Sequence, residues 1–272
     1  MKGESSAPRT QWTEEKILVL VKTYPAPSHK YIETSCIAGI TAEHEWLRLY
    51  PVQFRMLDKR FRKYQWITAR IVKDPSDPRP ESHKIDQDSI RLGRQVGTRR
   101  DWAERWSLVR PLVEPSMEDL CSRAPQGKRS LGLVRVREFQ GLEIQPEECP
   151  DWTEEELAKL RREQLSLFGS HQGQPPILEK MPYGFYYNFR CEGLGCSGHR
   201  MKVLDWEICE SYRKWRREYG GDWEKHLRQK FEAELPRRDL HLYVGTLRRF
   251  MRSWVIVGLY YPPRGPSQLT ML

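Results

Sequence analysis

Cys191, Cys196 and His199 stand at C-x4-C-x2-H spacing around a turn containing Gly193, Gly195 and Gly198, and Cys209 follows ten residues after the histidine. Thiolates and imidazole are the donors that zinc favours, and a structural zinc site normally closes with four of them. Cys209 is the nearest candidate for the fourth position. The sequence therefore predicts a small Zn2+ site held by Cys191, Cys196, His199 and Cys209. Asp205 and Glu207 lie between the last two ligands. An Asp-x-Glu pair beside a histidine can hold a hard divalent ion for phosphodiester cleavage. No lysine follows as in a D…E-x-K nuclease core, because Glu207 precedes Ile208 and Cys209. The same carboxylates also suit the start of a helix, where the dipole favours negative charge. A metal-dependent nuclease using Asp205, Glu207 and His199 is thus an alternative and not the leading reading.

A second group of residues points to phosphate. Arg213, Lys214, Arg216 and Arg217 crowd one predicted helix among Tyr212, Trp215 and Tyr219, and Arg248, Arg249 and Arg252 follow with Phe250 and Trp254. Guanidinium groups grip phosphates, and aromatic faces stack on unpaired bases. Residues 208–272 hold 13 Lys and Arg against 7 Asp and Glu, so much of the net charge of +9 is concentrated there. For one arginine a solvated helix face is explanation enough; the cluster is what suggests binding. The leading expectation is an accessory protein that binds DNA or RNA, or a nucleoprotein, through this C-terminal face, with the zinc hairpin stiffening it. A third reading is a subunit of a larger complex whose aromatic residues meet a protein partner.

Other chemistries lack their usual supports. No G-x-x-x-x-G-K-[ST] or G-x-S-x-G segment occurs. The loop Asp77-Pro78-Arg79-Pro80-Glu81-Ser82-His83-Lys84 superficially resembles a carboxylate–lysine motif, but its prolines suit a surface loop. His29, His44, His171, His226 and His241 have no partner at telling spacing. No apolar run approaches the roughly 18 residues that span a bilayer, and the start has no hydrophobic signal region, so no membrane partner is expected. Six scattered cysteines do not make a disulfide framework, which fits a reducing cytoplasm.

The elements that must position these residues are readable in part. Residues 1–12 read as a tail. Ile17–Val21, Trp46–Pro51, Tyr64–Val72 and Ser130–Val136 read as strands, with a proline-rich loop after the third. Residues 98–121 suit short helices, Ser116 being placed to cap one of them. A helix over 153–168 carries capping-box spacing at Thr153 and Glu156. The segment 170–176 then separates an N-terminal region, 13–169, from a C-terminal region, 177–265. In the latter, 183–191 and 199–207 form an antiparallel pair with Phe185, Tyr187, Phe189 and Cys191 on one side. Helices over 207–218 and 222–235 break at Gly220-Gly221, and a strand over 254–261 closes the order. Helices and strands without regular βαβ alternation predict an α+β fold with mixed or antiparallel sheets.

Phe185–Glu207, with Cys191, Cys196-Ser197-Gly198-His199 and Asp205-Trp206-Glu207, together with Gly258-Leu259-Tyr260-Tyr261-Pro262-Pro263, resembles a family of uncharacterised bacterial proteins. Trp46–Pro51 and Arg79-Pro80-Glu81-Ser82 extend the resemblance over most of the chain. It implies one full-length unit and attaches no activity.

Overall fold

Ile17-Leu18-Val19-Leu20-Val21 is apolar at every position, and such a strand must be covered on both faces. The computed structural model, which describes residues 11–27, 33–53, 61–124, 129–158, 161, 177 and 179–264, shows how. Seven strands come first: β1 (Thr13–Lys22), β2 (Ala26–Pro27), β3 (Glu33–Ile40), β4 (Trp46–Val52), β5 (Gln65–Lys73), β6 (Ser82–Ile85) and β7 (Arg91–Gln95). β1 pairs with β3, β3 with β4, β4 with β6, β6 with β5, and β5 again with β1, which closes a five-stranded barrel. Only the β4–β6 contact is parallel among these pairs. Counting barrel strands along the chain, the circuit runs first, second, third, fifth, fourth and back to the first. That is the connectivity of the OB-fold, a five-stranded Greek-key barrel. Ile17, Val19, Ile37, Leu49, Ile67 and Ile71 fill its interior.

Alternation along β1 turns Leu18 and Leu20 outward. There they meet a second sheet, built from β8 (Val113–Glu114), β9 (Leu131–Pro146), β10 (Tyr183–Cys191), β11 (His199–Lys202), β12 (His241–Thr246) and β13 (Trp254–Tyr260) in the order β11-β10-β9-β12-β13, with β8 beside β9. Leu131, Leu133, Tyr243, Val255 and Val257 cover Leu18, Leu20, Ala38, Ile40 and Trp46 of the barrel. The opposite face of this sheet, with Phe185, Tyr187, Leu242 and Ile256, is covered by helices through Met117, Leu120, Ile208 and Leu227. The first helix instead sets Trp102, Trp106 and Val109 in the layer between barrel and sheet. α1 (Arg99–Val109) and α2 (Met117–Arg123) precede β9, whereas α3 (Trp206–Tyr219) and α4 (Trp223–Arg228) pack Ile208, Tyr212, Trp223 and Leu227 onto the sheet. Each fully buried side chain of this size contributes about 1.5–3 kcal/mol. The close approach of β1 and β3 needs glycine at Gly39, where a Cβ would lie 2.4 Å from the Leu18 carbonyl oxygen.

The class is α+β with mixed and antiparallel sheets, as the sequence predicts. The expected strands at 17–21, 46–51, 64–72, 130–136, 183–191 and 254–261 all form, as do the helices on either side of Gly220-Gly221. Thr153 and Glu156 make the reciprocal bonds of a capping box, at 2.9 and 3.2 Å. Most of the expected helix 153–168, the segment 170–176 and residues 1–10 lie outside the described residues. The sheets do not divide the chain at 170–176, because β9 lies before that segment and pairs with both β10 and β12. The change of sheet falls between β7 and β8.

The loop 74–81 also differs from expectation. Asp77, Arg79 and Glu81 are buried. Arg79 chelates Asp77 through Nε and Nη2 and donates from Nη1 to the Thr246 carbonyl at 2.9 Å. Buried Arg48 donates to the Ser130 carbonyl at 3.0 Å, and Ser130 donates to Glu81. These polar contacts seat the loop and the β3–β4 face against the second sheet, a position no local pattern reveals.

Candidate metal centre and basic surfaces

β10 points Phe185, Tyr187, Phe189 and Cys191 into the core, so Cys191 reaches the strand end on the buried side. The chain turns at Gly198, whose φ of +113° suits glycine, and β11 returns antiparallel with His199 opposite Phe189. Cys196 folds back so that its Sγ accepts the Cys191 N–H at 3.4 Å. Facing this hairpin, Ser116 caps α2 as predicted, accepting the Asp119 N–H at 3.0 Å. The cap brings Glu118 to the hairpin. A Cβ on Gly193 would lie 2.8 Å from the Ser116 Cβ, so the turn and the cap need glycine to meet this closely.

Glu118, Cys191, Cys196 and His199 place one donor atom each within 4.8 Å of one another, a group that can hold a metal ion. Nε2 of His199 lies 3.6 Å from Cys191 Sγ and 3.2 Å from Cys196 Sγ. Glu118 approaches Cys191 Sγ at 3.3 Å and His199 Nε2 at 3.2 Å. Both sulfurs are buried, while Glu118 sits on the solvent side. Burial pushes the Cys191 thiol up to about 11, against the pull of the Met117 and Gly193 N–H groups aimed at the sulfur. The latter are the donors a thiolate requires. Burial also acts to raise Glu118, but its own N–H, the Cys191 thiol and His199 outweigh it and hold the carboxyl below its ordinary value.

The predicted set is thus correct at Cys191, Cys196 and His199 as neighbours and wrong at Cys209. β11 stops at Lys202, and the chain turns into α3, whose inward face carries Cys209 into the core. Burial there raises its thiol well above the usual range. Glu118, which lies 73 residues before Cys191, takes the fourth place. The signal for its helix was present in Ser116; nothing local says that this helix abuts the hairpin.

Asp205 and Glu207 have structural partners. Asp205, fully buried, caps α3 by accepting the Glu207 N–H at 2.7 Å and pairs with Lys63 at 3.0 Å. Burial works against the Lys63 ammonium, but Asp205 and Glu207 outweigh it and hold its pKa above the ordinary lysine value. Glu207 accepts from Lys230 and from the Tyr261 hydroxyl, both at 2.8 Å. His199 is turned to the cysteines instead and does not join them.

The cations of the basic segment lie on two separate elements. On α3, Arg213 is drawn into pairs with Glu179 and Glu210, and Lys214 pairs loosely with Glu218 at 3.8 Å. Arg216 and Arg217 are exposed, with no carboxylate partner among the described residues. The aromatic residues expected to interleave do not face outward together: Tyr212 is buried, Trp215 packs on the core, and Tyr219 stacks on His226 at 3.7 Å. The second element is the β12–β13 turn, where Arg248, Arg249 and Arg252 are exposed beside Phe250 at 63% exposure. Arg248 donates to the Ser76 carbonyl at 2.7 Å. No described helix is long and apolar enough to cross a membrane.

None of the curated proteins matches the chain. A family described as "Domain of unknown function (DUF8758)" matches residues 13–111, which is the barrel with β7 and α1. The boundary falls where the chain passes from one sheet to the other. A second, described as "Domain of unknown function (DUF8757)", matches residues 113–271, more than half of the sequence, and the chain belongs to that family.

Proposed function

We propose that this protein is a nucleic-acid-binding accessory protein whose C-terminal sheet is stiffened by one zinc ion. The observation that carries the binding reading is the β12–β13 turn. It exposes Phe250 among Arg248, Arg249 and Arg252, and neither Arg249 nor Arg252 has a carboxylate partner among the described residues. Unpaired guanidinium groups around an exposed ring suit a phosphate backbone with a base or a groove wall against the ring. The barrel supports the reading by analogy of fold alone, since OB-folds bind oligonucleotides on their second and third strands. Here that face, β3 and β4, is covered by the second sheet, which directs the reading to the surface cations.

Two thiols, an imidazole and a carboxylate are a donor set that supports zinc. Bonds of about 2.3 Å to sulfur and about 2.0–2.1 Å to nitrogen and oxygen in a tetrahedron imply edges of roughly 3.5–3.6 Å from sulfur to nitrogen or oxygen, and roughly 3.3 Å between nitrogen and oxygen. His199 Nε2 lies 3.6 and 3.2 Å from the two sulfurs, and Glu118 reaches Cys191 Sγ with one carboxylate oxygen at 3.3 Å and His199 Nε2 with the other at 3.2 Å. A carboxylate on the solvent side as fourth donor leaves that position the most exchangeable.

Fluorescence anisotropy with single- and double-stranded DNA and RNA tests binding. The affinity should fall steeply with salt, and Arg249→Ala/Arg252→Ala should weaken it about tenfold or more while leaving the melting temperature unchanged. Absence of binding to all four probes at low salt refutes the reading. Elemental analysis should find one zinc per chain.

A further inference from the structure

Lys22 at the end of β1, Arg62 and Lys63 before β5, and Lys214 and Arg217 on α3 line one surface depression of about 480 Å³, with the Ser211 hydroxyl among them. The N-terminal barrel supplies three of these cations and the C-terminal helix two. No sequence window contains the group. Two carboxylates, Glu207 and Glu210, also line the depression. Both are engaged elsewhere: Glu207 with Lys230 and Tyr261, Glu210 with Arg213. Asp205 neutralises Lys63 from beneath. Lys22 donates to the Phe61 carbonyl at 3.5 Å and Lys214 pairs loosely with Glu218 at 3.8 Å, yet cations outnumber carboxylates around this partly enclosed space, where field lines are focused and an anion is favoured.

We propose that this depression is a phosphate-binding site. The lining offers what a phosphoryl group requires: two guanidinium forks, ammonium groups and a hydroxyl converging from different elements. The state of Lys22 agrees. Burial, followed by the like charges of Lys63 and Arg62, lowers its pKa to about 8, and an anion in the depression would relieve that repulsion. Its ammonium lies 5.7 Å from the Trp206 ring, which forms part of the same wall. The phosphate can be a backbone phosphodiester or a free phosphate ester. The site rests on the nucleic-acid reading only for the first of these sources.

The test uses the full chain with two probes, pyrophosphate by titration calorimetry and a short fluorescein-labelled oligonucleotide by anisotropy at several salt concentrations. Lys214→Ala/Arg217→Ala removes two exposed cations whose loss leaves the core intact, and Lys225→Ala/Arg237→Ala, at exposed positions outside the depression, is the charge-matched control. The double variant should bind the oligonucleotide about tenfold more weakly, with a log–log salt slope shallower by roughly 1.5–2, and the control should not. Loss of pyrophosphate binding in the double variant supports a site that takes free phosphates. Loss confined to the oligonucleotide supports a phosphodiester site. If wild type binds the oligonucleotide and the double variant does so equally well, without pyrophosphate binding, the site is overturned while the nucleic-acid reading stands. If wild type binds pyrophosphate alone, through these residues, the site stands and the nucleic-acid reading falls. Binding of neither probe by wild type overturns the site.

Discussion

Replacing Asp205 by Asn separates its two tasks. Asn keeps a side-chain oxygen that can accept the Glu207 N–H, as Asp205 does at 2.7 Å, and Asn caps helices about as well as Asp. The negative charge beside Lys63 is lost. Removing one partner of a buried ion pair costs about 3–5 kcal/mol, because the other charge remains buried and uncompensated. Asp205 is 0% exposed and the Lys63 side chain 17%, so the lysine can partly regain water and the lower end, about 3 kcal/mol, is expected. With an unfolding entropy of about 2.1 cal/mol/K per residue, that is a fall in Tm of roughly 5 °C for a chain this long. Lys63→Met in the same chain removes the stranded ammonium and should recover about 2 kcal/mol, the coupling expected of residues in direct contact. Asp205→Ala should cost about 1 kcal/mol more than Asp205→Asn, the worth of the cap. Urea unfolding followed by tryptophan fluorescence, run on the four members of the cycle and on Asp205→Ala, reads all of these. If Asp205→Asn lies within about 0.5 kcal/mol of wild type, or if the two substitutions are simply additive, the structural role argued for this carboxylate is wrong.

The proposed metal centre makes its own demands. Cys191→Ser and His199→Asn should abolish stoichiometric metal in elemental analysis, and Cys209→Ala should retain it with a stability loss of about 1 kcal/mol. Removing the ion with a chelator should lower stability by about 4 kcal/mol where free metal exceeds its Kd a thousandfold, seen as a Tm that responds to added zinc. Burial acts to raise Asp77, but the hydrogen bonds from Arg79 outweigh it and hold its pKa down to about 2. A lowered carboxylate pKa stabilises the fold above the unfolded value of 3.8, and that contribution disappears as pH falls through about 2. Asp77→Asn should therefore cost about 2 kcal/mol near neutral pH and progressively less in acid urea titrations. Gly39→Ala should lower the urea midpoint by the equivalent of about 2 kcal/mol or more, because its Cβ would meet the Leu18 carbonyl.

Local pattern was enough for many elements. Val19 and Leu20 announce a strand covered on both sides, Ser116 and Thr153 announce their caps, and Phe185, Tyr187, Phe189 and Cys191 announce the face of β10. Glu33–Ile40 and His241–Thr246 carry weaker signals. The first mixes Thr, Ser, Cys and Gly, and the second is buried throughout, so neither shows the alternation of a half-exposed strand. The barrel itself could not be foreseen, because closure depends on β1 pairing with both β3 and β5 across many intervening residues. The loop at 74–81 looked like surface for the same reason, since its burial depends on Thr246 and Ser130.

By itself the sequence determined that Cys191, Cys196 and His199 would be neighbours, because five and three residues of chain around a tight turn can hardly keep them apart. It determined equally that positive charge would gather near the C-terminus. The tertiary structure decided what completes each group. Packing of α2 against the hairpin supplied Glu118 in place of Cys209, and docking of α3 beside the barrel joined Lys214 and Arg217 to Lys22 and Arg62. Spacing along a chain fixes only contacts that the backbone itself enforces. Contacts between distant segments follow from which apolar faces must be buried together, and they carry their polar side chains with them.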